Sequence, residues 1–129
     1  MQNGTDGYSA NPHTILVVED DAVVRTLTLE VLEAFGYQAF GAEDGDTALS
    51  ILRSEQALSL LMTDIGLPDI SGLDLAQQAQ VLRPEIAVLL ASGYEVQQQT
   101  STGNGAVATI TKPFQLDLLR STLQAMLGQ

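Results

Sequence analysis

Short apolar runs recur along this chain, and stretches of helical spacing separate them. Ile15-Leu16-Val17-Val18, Ser59 to Thr63 and Ile86 to Leu90 are continuous, as expected of strands buried on both faces. Tyr37 to Phe40 alternates and reads as an edge strand, and Ala106 to Ile110 reads as a fifth strand. After the first run, Asp21 is placed to cap a helix in which Val24, Leu27, Val31 and Phe35 repeat at helical spacing, with Gly36 ending it. A second helix opens at Asp44 or Asp46 and runs through Arg53; a third spans Gly72 to Leu82, stopped before Pro84. Glu95 to Thr102 is a weak helix cut short by Gly103-Asn104-Gly105, and Leu116, Leu119, Leu123 and Met126 mark a last amphipathic one. Strand–helix–strand crossovers of this length join parallel strands. The predicted fold is therefore α/β: a five-stranded parallel sheet with helices on both faces, a (βα)5 arrangement.

A length of 129 residues suits one domain with one core. Residues 1–13 are polar and without periodicity, and read as a flexible tail or linker; 14–128 form the predicted domain. No apolar run nears the ~20 residues needed to span a bilayer. The first residues show neither the basic nor the apolar region of a signal peptide, and the chain has no cysteine. These features lead us to expect a cytoplasmic protein. Sixteen acids against five bases leave a net charge of −11, which repels phosphate backbones and anionic membranes. Direct nucleic-acid binding and membrane association are not expected.

The residues just past each buried run carry the chemistry. The first strand ends in Glu19-Asp20-Asp21, the third in Asp64, the fourth in Ala91-Ser92-Gly93 and the fifth in Thr111-Lys112-Pro113. In a parallel sheet these ends share one rim, where α/β domains gather their chemistry. Carboxylates held close repel one another, and a divalent cation with hard oxygen ligands, Mg²⁺ above all, resolves the repulsion. Asp64 can then attack phosphorus to form an acyl phosphate. Lys112, the only lysine, offers a fixed positive charge, and Ser92 a hydroxyl donor.

From about Thr14 to Leu127 the chain resembles the receiver domains of two-component response regulators. The resemblance rests on Glu19-Asp20, on Asp64 with Leu67-Pro68-Asp69 and Gly72, on Ser92, and on Lys112-Pro113-Phe114. It implies a flavodoxin-like sheet in the order 2-1-3-4-5. It implies that Asp64 is the phosphoacceptor and that Asp20 holds Mg²⁺ (or Mn²⁺) directly. Glu19 would hold it through water, and the backbone carbonyl of Gly66 would be the third protein ligand. By the same resemblance Ser92 bonds the phosphoryl group, Lys112 pairs with Asp64 or the phosphate, and the Lys112–Pro113 peptide is cis. The implied partners are a histidine kinase or phosphotransfer protein as donor, and an output domain or effector. Ser92-Gly93-Tyr94 with Lys112-Pro113-Phe114 resembles the receivers of hybrid sensor kinases. A stand-alone regulator, a receiver from a larger regulator and a hybrid-kinase receiver all remain open. On this reading the chain catalyses its own phosphorylation and dephosphorylation and is not a turnover enzyme.

Other residues are given plainer roles. Asp21 is read as an N-cap, and Asp69 and Asp74 as turn and helix-start residues. His13 is read as part of the polar tail, and Tyr37, Tyr94 and Phe114 as packing. The sequence also departs from the family pattern: Thr109 stands where receivers often carry Tyr or Phe, and Gly93 to Ala106 is short. We therefore expect output through a surface other than the one built by the fourth and fifth helices and the fifth strand, or with little rearrangement there. Three alternatives compete. A phosphorylation-independent interaction module would leave the rim idle. A flavodoxin-like FMN domain needs a phosphate loop where Glu19-Asp20-Asp21 stands. A Mg²⁺-dependent phosphohydrolase wants an acid two residues after its nucleophile, where this chain has Gly66.

Overall fold

The computed structural model describes residues 13–93 and 105–128. Its strands are β1 (Thr14–Val18), β2 (Gln38–Ala42), β3 (Leu60–Asp64), β4 (Ala87–Ser92) and β5 (Val107–Thr111). Its helices are α1 (Ala22–Ala34), α2 (Gly45–Arg53), α3 (Gly72–Leu82) and α4 (Leu116–Leu127). The five strands pair in parallel in the order β2-β1-β3-β4-β5, as expected. Four helices are present among the described residues; α4 is the expected last one. The weak helix expected over Glu95 to Thr102 lies outside the described residues, as does the expected tail up to residue 12. His13 lies within them, its Nδ1 3.2 Å from Ser59 Oγ and its carbonyl accepting from Gln38 N–H.

Alternation along the strands divides the core in two. Leu16 and Val18 of β1 join Leu61, Val88 and Leu90 on one face, packed by Leu49 and Leu52 of α2 and Leu75 and Ala79 of α3. Ile15 and Val17 point the other way and join Leu60, Met62 and Leu89 against Leu32 of α1 and Leu119 and Leu123 of α4. Both faces are covered, which is why β1, β3 and β4 read as apolar runs. Gly36 adopts φ 100° to turn the chain out of α1. Gly72 lets the first turn of α3 lie against the end of β3, since a Cβ there would sit 2.3 Å from the Asp64 carbonyl oxygen.

The face of α1 differs from expectation. Of the expected stripe, Val31 and Phe35 pack against the core, but Val24 is 38% and Leu27 56% exposed. The buried positions are Thr28 and Leu32. In the first half of the helix the inward positions are Arg25, Thr28 and Leu29, and two polar side chains hide them from a hydrophobic-periodicity reading. Each is satisfied where it sits: Thr28 Oγ1 donates to the Val24 carbonyl at 2.8 Å, and Arg25 Nη1 donates to the Glu19 carbonyl at 2.8 Å.

These packings give opposite expectations for two leucines. Leu119→Ala is expected to cost about 2–5 kcal/mol, because it opens a cavity in a closed face. Leu27→Ala is expected to stay within about 0.5 kcal/mol of wild type. Urea unfolding of both variants measures the contrast, and equal costs would mean that α1 is rotated from the position described.

Candidate functional site

Parallel strands bring their C-terminal ends to one rim, and the predicted residues meet there. Glu19, Asp20 and Asp64 each present a carboxylate oxygen, and these oxygens lie within 4.8 Å of one another. Lys112 Nζ stands 3.2 Å from Glu19 Oε1 and 3.4 Å from Asp64 Oδ2. The ammonium thus bridges the ends of β1 and β3 from the end of β5. Ser92, 3% exposed, ends β4, and its carbonyl accepts from Lys112 N–H at 2.6 Å. The Lys112–Pro113 peptide is cis. Gly66 lies in the exposed loop after β3, and its N–H reaches Asp64 Oδ1 at 3.4 Å.

Glu19 is held from several sides. Its N–H donates to the Ala42 carbonyl, its own carbonyl accepts from Arg25, and Oε2 accepts from Asp21 N–H at 3.0 Å. It is 7% exposed, whereas Asp20 stands in solvent. Val18, Val24, Met62, Ala91 and Phe114 wall the small cleft in which Glu19, Asp64 and Lys112 meet. Apolar walls raise the worth of every charge inside them. Burial alone would pull the Lys112 ammonium down; the charges of Asp64 and Glu19 and hydrogen bonds to both outweigh it, and the net direction is up.

Three carboxylates against one ammonium leave two negative charges in excess. All three acids offer hard oxygen donors, and one, Asp20, points to solvent. This donor set fits a divalent cation of the Mg²⁺ type, which keeps part of its water shell.

The nearby acids have the plainer roles expected of them. Asp21 caps α1, accepting from Val23 and Val24 N–H groups. Asp44 caps α2, and Ser71 caps α3 with Asp74 in its first turn. The sequence pattern did not point to Arg25. One of five basic residues, it sits six positions after Glu19, and its stem lies over Gly41, where an added Cβ would be 3.1 Å from Arg25 Cδ. An arginine within an otherwise sheet-facing helix stripe was the available signal.

A family model described as "Response regulator receiver domain" matches residues 15–124. The chain belongs to that family. It is a receiver domain of two-component systems, homologous to phosphorelay receivers. A probable transcriptional regulatory protein of Picosynechococcus sp. is 35% identical over 98% of this chain and 54% of its own length. The chain thus spans about half of that relative. The sporulation initiation phosphotransferase F of Bacillus subtilis is 32% identical, covering 88% of this chain and 92% of that one. The crystal structure of the response regulator protein TrrA from Thermotoga maritima, in complex with Mg²⁺-BeF, superposes with a TM-score of 0.78 at 29% identity over 89% of this chain and 99% of that one. Against the family pattern, the receiver's Thr109 lies on β5 opposite Leu90 and is exposed.

The bridge made by Lys112 has a measurable worth. Lys112→Met is expected to destabilise the Mg²⁺-free domain by about 1–2 kcal/mol, a discount on buried pairs because the ammonium keeps some solvent. A raised lysine value contributes fully below its ordinary 10.5 and is lost as pH climbs through the higher folded value. The gap between wild type and variant should therefore hold from neutral pH to about 10.5 and close above it. Millimolar Mg²⁺ should recover most of the loss. Urea unfolding across pH, with and without Mg²⁺, checks all three.

Proposed function

We propose that this receiver domain takes a phosphoryl group onto Asp64 from the phosphohistidine of a sensor kinase or phosphotransfer protein. The observation that carries this reading is Asp64 at the tip of β3, with Lys112 Nζ 3.4 Å away and two more carboxylates within 4.8 Å. In the transfer, an Asp64 carboxylate oxygen forms a bond to phosphorus and the donor's N–P bond breaks. The leaving nitrogen keeps the electron pair, and it departs as neutral imidazole when the other ring nitrogen carries the proton. Glu19, Asp20, Asp64 and the Gly66 carbonyl are the residues that would hold Mg²⁺, which supplies positive charge to the phosphoryl oxygens. Lys112 is poised beside the acceptor as a fixed charge, and Ser92 brings a hydroxyl to the same rim. The rim is built to position and neutralise, so the domain catalyses its own modification without being a turnover enzyme.

The donor must bring its imidazole to the mouth of the cleft. Val24 lines that cleft, and Val23 and Leu27 extend an exposed apolar patch from it along α1. We assign this patch to donor docking. Output then passes to an effector or an attached domain, through a surface other than the one in which Thr109 replaces the usual aromatic residue, or with little rearrangement there.

Intact-protein mass after incubation with acetyl phosphate tests the acceptor. A Mg²⁺-dependent gain of one phosphoryl group is expected in wild type and none in Asp64→Asn; retained labelling in the variant would move the acceptor elsewhere. Leu27→Glu is expected to slow transfer from a phosphohistidine protein at least about 10-fold, the loss of one docking contact of about 1.4 kcal/mol. Its acetyl phosphate labelling should remain at the wild-type rate. Equal slowing with both donors would exclude α1 as the docking face.

A further inference from the structure

The loop from Gly66 to Ser71 follows β3 after Ile65 and carries the Gly66 carbonyl. It is closed on itself by an antiparallel bridge between Gly66 and Ser71 and by Gly72 N–H donating to the Ile65 carbonyl at 2.7 Å. These bonds give the loop its shape, and Leu67 and Ile70 rest against the core beneath it. Asp69, an ordinary turn residue by its sequence, supplies the hydrogen-bonded tie to α2. Its Oδ1 accepts from Gly45 N–H at 2.9 Å and from Ile70 N–H at 3.0 Å, and its Oδ2 accepts from Asp46 N–H at 2.8 Å.

Gly45 and Asp46 open α2, where N–H groups lack partners within the helix. The local cap, Asp44, accepts only from Thr47 N–H. Asp69 takes the two donors that the cap leaves over, from a loop 23 and 24 residues away in sequence. A carboxylate at a helix N-terminus is also favoured by the helix dipole. The contact is close: a Cβ on Gly45 would lie 2.7 Å from Ile70 Cγ1 and 3.3 Å from Asp69 Oδ1. Glycine at this position lets α2 and the loop meet.

We propose that Asp69 is a positioning residue: by clamping the Gly66–Ser71 loop to the N-terminus of α2, it holds the Gly66 carbonyl in place for the divalent cation and so sets the affinity for Mg²⁺. The clamp rests on the proposed role of Gly66 as a Mg²⁺ ligand. Asp69 is exposed and packs little apolar surface, so its removal cuts the loop's polar tie to α2 without opening the core. Residues that orient metal ligands typically change metal affinity by about 10- to 100-fold when lost. A clamp on one backbone ligand belongs at the low end of that range.

Calorimetric Mg²⁺ titration of wild type, Asp69→Ala, Asp69→Asn and Asp74→Asn tests the clamp. Asp69→Ala should raise the Mg²⁺ dissociation constant about 10-fold. Asp69→Asn keeps one oxygen for Gly45 and Ile70, and should recover most of the affinity. Asp74→Asn removes a nearby charge without touching the clamp, and should bind as wild type. In acetyl phosphate labelling, Asp69→Ala should need more Mg²⁺ but reach the wild-type rate at saturation. A merely structural role would lower the melting temperature without moving the Mg²⁺ midpoint. Affinity within twofold of wild type in Asp69→Ala, or an equal loss in Asp74→Asn, would overturn the proposal. Wild type that binds no Mg²⁺ at millimolar concentration would overturn the metal-site reading beneath it. If Asp69→Ala does not fold, a wild-type affinity in Gly45→Val, which pushes the loop off α2, would overturn the clamp instead.

Discussion

Repulsion among Glu19, Asp20 and Asp64 is the constraint around which the rest of this domain is arranged. Folding brings three carboxylates within 4.8 Å, two of them inside an apolar-walled cleft. Left alone, such a cluster would oppose folding. Lys112 answers part of that cost by standing between Glu19 and Asp64. The remaining excess of negative charge makes the rim selective for what arrives next. In the function we propose, that excess attracts a divalent cation, and a phosphoryl group is accepted in its company. The single lysine of a strongly acidic chain is placed between two of the three clustered carboxylates.

The sheet supplies the geometry that local sequence cannot. Four strand ends separated by tens of residues reach one rim because the strands are parallel and each crossover returns the chain to the same starting edge. Around that rim, backbone groups are tied in turn. Arg25 and Asp21 hold Glu19, the Ser92 carbonyl holds Lys112, and Asp69 ties the loop after Asp64 to α2. Glu19, Lys112 and the loop after Asp64 are thus each tied to a neighbouring element.

Much of this arrangement was legible in the residues. Strands β1, β3 and β4 are buried on both faces, and so appear as unbroken apolar runs; crossover length made them parallel, and the family resemblance implied their order. Glu19, Asp20, Asp64, Ser92 and Lys112 are legible because each lies at the end of a run that reads as a strand. Strand limits were shifted by a residue or two: β2 runs on to Ala42, and β3 and β5 each end one residue later than expected. Those residues continue the ladder although their side chains are polar or small, which hydrophobicity does not register. The face of α1 was legible in its second half, where Val31 and Phe35 pack on the core, but not in its first, where Arg25 and Thr28 point inward for reasons of hydrogen bonding. Asp69 looked like a turn residue because its partners, Gly45 and Asp46, are remote in sequence and use backbone atoms that no side-chain pattern reveals.

The central claim is that the rim forms an acyl phosphate on one carboxylate of the three. Borohydride reduces an acyl phosphate to an alcohol at the modified side chain and leaves free carboxylates untouched. Peptide mass mapping of the phosphorylated, borohydride-treated protein therefore locates the acceptor directly. A single reduced site, at Asp64, is the predicted result. Reduction at Glu19 or Asp20, or a phosphorylated protein with no reducible site, would contradict it.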